Sequence, residues 1–127
     1  MLKTYSPETV APPFSRYSHG VEAPAAARWL HVSGQVGVAP DGTVRHGAEA
    51  QIEQAWRNLL AILESAGMGP RDLIKVNTFL IDRAHLQASR EVRERMLQGA
   101  EPASTLLIVS GLARAEWLVE IEAIAAA

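Results

Sequence analysis

The chain has no cysteine among its 127 residues, so it forms no disulfide and offers no thiolate as nucleophile or metal ligand. It has no excess of positive charge either. Twelve basic residues stand against fourteen acidic ones, a formal net charge of −2, and a nucleic-acid binder needs a basic surface to track phosphates. No apolar run reaches the roughly 18 residues that a membrane span requires, and Met1 to Pro7 lacks the apolar core of a secretion signal. The histidines His19, His31, His46 and His85 have neither HxH nor HExxH spacing, so neither a metal nor a cofactor is expected. Gly34-Gln35-Val36-Gly37 is too short for a dinucleotide or phosphate loop, and there is no Gly-x-Ser-x-Gly elbow. The expectation is a cytoplasmic protein with no nucleic-acid or membrane partner.

What is present suits one globular domain over residues 1–127, with a length sufficient to bury a core. Residues 1–16, with Pro7, Pro12 and Pro13, read as an irregular arm. Strands are expected from Tyr17 to Glu22 and from Arg28 to Ser33, followed by a turn at Ala39-Pro40-Asp41-Gly42, whose Asp-Gly suits positive φ in a hairpin. Between Ala48 and Ala66, the residues Ile52, Ala55, Trp56, Leu59, Leu63 and Ala66 recur at helical spacing, and Gly67 and Pro70 mark a stop. Leu73 to Ile81 reads as a strand. Leu86 to Leu97 reads as a helix with Leu86, Val92 and Met96 inward, its surface charged by Arg90, Glu91, Arg93, Glu94 and Arg95. Thr105 to Val109 and Trp117 to Ala125 read as the last strands.

The order predicts an α+β fold, a single mixed β-sheet with two helices on one face. Residues 105–109 are apolar on both faces of their strand, and a soluble monomer rarely leaves such a sheet face open. A second subunit is therefore expected to cover it.

Three places offer chemistry. Glu120 and Glu122 share one face of the final strand, either as solvated residues on a half-buried strand or as carboxylates able to hold a water in a cleft. Tyr17 reads as a core aromatic with its hydroxyl at the edge. Gly34 is either a bulge or a place where backbone N–H meets a ligand.

Pro102-Ala103-Ser104-Thr105, Val119 to Ala125 and Ser33-Gly34-Gln35 together resemble the reactive-intermediate deaminase (RidA/YjgF) family, over about Tyr17 to Ala125. The resemblance implies a chorismate-mutase-like homotrimer, sheets inward and helices outward, with a small-molecule cleft at each subunit boundary. It implies that Glu120 positions the attacking water and that Tyr17, Ser33 and Gly34 line the pocket. Imine deaminases of the family carry an arginine where Ser104 stands here. A guanidinium grips a carboxylate through two parallel N–H bonds, whereas a serine hydroxyl offers one neutral bond. Leu106 stands where these enzymes often have cysteine, which makes the pocket more apolar. Arg90, near a cleft asparagine of the family, is a candidate for the missing cation, its other reading being an exposed helix charge; His19 is a second polar candidate. Family members have also been described as ribonucleases, which the acidic balance argues against. The implied function is a divergent cofactor-free hydrolase or deaminase of a small enamine, imine or related metabolite. A non-catalytic small-molecule-binding or regulatory trimer and a 2-iminobutanoate/2-iminopropanoate deaminase are the alternatives.

Overall fold

The apolar stripe at helical spacing forms the longest helix, α1 (Ala48–Ser65), in a computed structural model that describes all 127 residues. Ile52, Ala55, Trp56, Leu59 and Leu63 on this stripe are fully buried. The helix stops where the sequence predicts. Gly67 adopts φ 72°, and the N–H groups of Gly67 and Met68 donate to the carbonyls of Glu64 and Leu63, both at 2.9 Å. That pairing satisfies carbonyls the helix end would otherwise leave open, at a φ that a Cβ would strain.

The helices cover one face of a four-stranded sheet whose spatial order is β3 (Trp29–Val36), β6 (Val119–Ala126), β4 (Leu73–Leu80) and β5 (Ala103–Ile108). β6 runs antiparallel to both neighbours, and β4 and β5 are parallel, joined through α2 (Leu86–Leu97). Alternation divides each strand between two faces. On β6, Val119, Ile121, Ala123 and Ala125 are buried beneath α1, which sends Glu120, Glu122 and Ile124 to the outer face. On β4, Val76, Thr78 and Leu80 are buried on the helix side. The register Val76–Ser104 and Thr78–Leu106 puts Ser104 and Leu106 on that same side of β5. The outer face carries polar rungs: the Asn77 amide donates to Glu122 at 3.0 Å and Lys75 Nζ to Thr105 Oγ1 at 2.7 Å. Leu107 on that face and Trp29 on the edge strand β3 stay about half exposed in a single chain.

The expected single sheet is in fact two. β1 (Lys3–Tyr5) and β2 (Gly20–Glu22) form a separate antiparallel ribbon, linked to β5 by one bridge between Ser18 and Ala103. β1 falls inside the stretch expected to be irregular, because three residues are too few to display a period. β2 begins at Gly20 rather than Tyr17 and ends shortly before Pro24, which has no N–H to offer a ladder. The Asp41-Gly42 turn forms, with Gly42 at φ 89°, yet its flanks make only one bridge, Val38 to Val44. Beyond the turn, side chains of α1 bond the carbonyls of both flanks. Asn58 Nδ2 donates to the carbonyls of Val36 and Val38 at 3.2 and 3.0 Å, and Gln51 Nε2 to that of Arg45 at 3.0 Å. In α2, Val92 and Leu97 are buried together with Ser89 and Arg93, so Arg93 belongs to the interior rather than the charged surface.

Leu59→Ala, beneath the sheet, is expected to destabilise the fold by about 2–5 kcal/mol in urea unfolding; a loss below about 1 kcal/mol would mean that the α1 stripe is not the core.

Candidate functional site

The two faces of the sheet sort the candidate residues into two groups. On the helix side, a cavity of about 220 Å³ lies between β5, α2 and the segment leading into β2, lined by Ser15, Tyr17, Arg90, Arg93, Ser104 and Leu106. Phe14 and Leu86 complete its apolar wall. The Tyr17 hydroxyl accepts the Phe14 N–H at 3.1 Å, which ties the wall to the arm. Arg93 Nη2 donates to Ser15 Oγ at 2.6 Å and Nη1 reaches Ser104 Oγ at 3.4 Å. Its Nε is buried with no partner, in a side chain only 7% exposed.

No carboxylate lines this cavity. The chain's two ion pairs both involve Glu53, with Arg57 at 2.9 Å and Arg95 at 3.5 Å, so Arg90 and Arg93 carry their charges without a salt bridge. Burial lowers the Arg93 pKa below the ordinary arginine value; Glu94 works against that lowering, Arg90 adds to it and Tyr17 opposes it.

The second group lies on the outer face. β3 is irregular between Val32 and Gln35, which brings the Gly34 backbone against β6. The Glu120 side chain lies over Gly34, and a Cβ added there would run into its carboxylate. Glu122 accepts from Asn77, whereas no side-chain hydrogen bond engages Glu120. Ser33 lines a shallow outer-face cavity of about 260 Å³ with His31, Asn77 and Glu122.

The structure therefore brings Tyr17, Arg90, Ser104 and Leu106 together, and Gly34 with Glu120, but within one chain it does not join the two sets. His19 lines neither cavity; its ring packs edge-on against Tyr17, the centroids 6.0 Å apart, and its Nε2 lies 2.8 Å from the Ala11 carbonyl. A larger cavity, about 360 Å³ between the β1–β2 ribbon and the end of α2, contains none of the candidate residues. Its size alone gives it no chemistry.

Arg93 is the residue the sequence reading missed. It lies seven residues after Leu86 and four before Leu97, on the inward face by helical spacing. Its charge argued for the surface, and the spacing was the better guide.

Residues 8–127 match the family described as Endoribonuclease L-PSP. The chain belongs to the RidA/YjgF/endoribonuclease L-PSP family. A 2-iminobutanoate/2-iminopropanoate deaminase of Mus musculus is 33% identical over 124 residues, spanning 96% of this chain and 86% of the mouse protein. A RutC family protein of Pyrococcus horikoshii is 32% identical over 120 residues, 93% of this chain and 92% of its own length. Among solved structures, a Rid-family protein of unknown function from Yersinia pestis superposes with a TM-score of 0.88 at 35% identity, covering 98% of this chain and 97% of that one. RidA from an Antarctic Psychrobacter gives 0.73 at 31%, covering 97% and 98%. The α+β architecture, two helices against a mixed sheet, is thus the RidA-family fold, and no helix in it is long and apolar enough to cross a membrane.

In this RidA-family chain, the buried guanidinium bears on stability in a definite direction. A base whose folded pKa is depressed destabilises the fold wherever it is protonated below that pKa, which for arginine includes the whole neutral range. Arg93→Met keeps the length, gives up the Ser15 bond and removes the uncompensated charge. The expected unfolding free energy is unchanged or raised by about 1 kcal/mol, with no pH dependence of the difference near neutrality. A loss above about 2 kcal/mol would make the arginine a structural element.

Proposed function

We propose that the protein is a cofactor-free hydrolase of a small anionic imine or enamine. It acts as a trimer whose clefts combine the Arg93 cavity of one subunit with the Gly34–Glu120 edge of the next. The observation that carries this reading is the buried Arg93 guanidinium against Ser104. Ser104 alone, in place of a motif arginine, argues for a substrate without a carboxylate. Arg93 reverses that argument by supplying a guanidinium at the same wall from α2.

The chemistry follows from these groups. The guanidinium holds the substrate carboxylate, aided by the Ser15 and Ser104 hydroxyls. The Glu120 carboxylate, with no competing internal partner, accepts a proton from water and directs the oxygen at the C=N carbon. Addition gives a carbinolamine. Protonation of its nitrogen and cleavage of the C–N bond release ammonia and a keto acid. The Gly34 backbone, kept bare of a Cβ, leaves room for the carboxylate and the water.

Shared clefts are supported by the separation of the two residue sets on opposite sheet faces, by Leu107 and Trp29 left open to solvent, and by the resemblance to trimeric relatives. Several relatives named 2-iminobutanoate/2-iminopropanoate deaminase stand at about 30% identity. A non-catalytic ligand-binding trimer is the second reading. The observation favouring it is that the cationic cavity of a single chain has no carboxylate in its lining, while Glu120 lies on the other face of the sheet.

The test is imine loss with 2-iminobutanoate and a panel of 2-imino acids generated in situ by an amino-acid oxidase. Glu120→Gln and Arg93→Met are each expected to lower kcat/KM about a hundredfold or more. Co-refolding the two inactive variants is expected to restore about a quarter of the sites if each cleft takes one group from each of two subunits. Wild type inert on the whole panel sinks the hydrolase and leaves the binding trimer; no recovery on mixing sinks the shared cleft.

A further inference from the structure

We infer that the cavity is built for a ligand with two anionic groups, a small dicarboxylate in preference to a monocarboxylate. The inference rests on the Arg93 pocket proposed above and concerns what occupies the rest of it. Two guanidiniums, Arg90 and Arg93, line one cavity of about 220 Å³ and no carboxylate lines it with them. Neither has a salt bridge, and Arg93 is buried with an unpartnered Nε.

Like charges three apart on a helix face repel, and burial sharpens that repulsion. A single carboxylate clamped on Arg93 leaves Arg90 unneutralised at the rim. A second anion at the far end of the ligand removes the imbalance. Residues three apart on a helix are surface neighbours, about 5–6 Å between Cβ atoms, within the reach of a short diacid.

The remaining walls decide between kinds of dianion. Phe14, Leu86 and Leu106 present apolar surface in the same cavity. A methylene spacer between two carboxylates buries against such walls, whereas inorganic phosphate has no apolar part to offer them. The Arg90 side chain is exposed and makes no hydrogen bond or ion pair within the chain, so its replacement leaves the fold intact.

The experiment is calorimetric binding of 2-oxoglutarate, of 2-oxopentanoate (the same carbon chain without the distal carboxylate) and of inorganic phosphate. Keto acids are used because their binding does not require turnover. The diacid is expected to bind at least about tenfold more tightly than the monoacid, and Arg90→Gln to bring that ratio to within about twofold. Equal affinities, a ratio that survives Arg90→Gln, phosphate binding more tightly than the diacid, or no binding of either keto acid overturns the inference. Imine turnover is scored separately. A retained preference without turnover sinks the hydrolase and supports the dicarboxylate pocket, whereas turnover with equal affinities does the reverse.

Discussion

The alternation of β6 is the constraint on which the rest of the molecule depends. Its apolar half, Val119, Ile121, Ala123 and Ala125, is buried beneath Trp56, Leu59 and the rest of the α1 stripe. Side chains repeat every two residues, so committing that half to the helix layer commits Glu120 and Glu122 to the opposite face. A slip of one residue would push two carboxylates into the core without partners, at a cost of several kcal/mol. The helix that buries the strand also indexes it. Gln51 of α1, only 3% exposed, accepts the N–H of Leu118, the residue before β6 begins, at 2.9 Å and donates to the Glu116 carbonyl at 3.0 Å. One amide thus fixes where the strand starts, and the start fixes which face receives Glu120.

From this geometry the division of the site follows. β5 reaches β6 only through β4, and its register sends Ser104 and Leu106 toward α2 while Glu120 faces away. No rotamer of Glu120 brings a carboxylate through a close-packed sheet to the Arg93 cavity. A chemistry that needs both a cation and a water-holding carboxylate must take them from two copies. The proposed trimer is in this sense a consequence of strand parity as much as of an exposed apolar face.

The sequence made most of the framework legible. α1, β4 and α2 lie within a residue of where periodicity placed them, because each sustains its pattern over eight or more residues. The β1–β2 ribbon was not legible, since three-residue strands carry no period and their pairing is a tertiary fact. The parity of Glu120 within β6 could be read from the sequence; that of Ser104 could not. A strand expected from Thr105 to Val109 and apolar on both faces leaves Ser104 outside it, whereas β5 begins at Ala103. The placement of the two residues on opposite faces depends besides on a register passed across β4 that no single strand specifies. Arg93 was hidden for a different reason. Burying an arginine is costly enough that charge is ordinarily the better signal, and its partner Ser15 stands 78 residues away along the chain.

Arg93 and Ser104 are best understood as one arrangement. Cβ atoms of α2 and β5 face the same cavity, so a guanidinium reaching in from the helix ends against the side chain at position 104. A second guanidinium there would set another cation against the buried Arg93, with no carboxylate in the cavity to offset either. A small hydroxyl instead leaves room and accepts one of the N–H groups. Supplying the cation from the helix also sets its neighbours: Arg90, three residues earlier on α2 and exposed at the cavity rim, lines the same cavity. In the proposed reading Arg93 is the clamp and Arg90 adds a second positive charge to the same cavity, so substrate size and valence, more than the presence of a cation, distinguish this cleft.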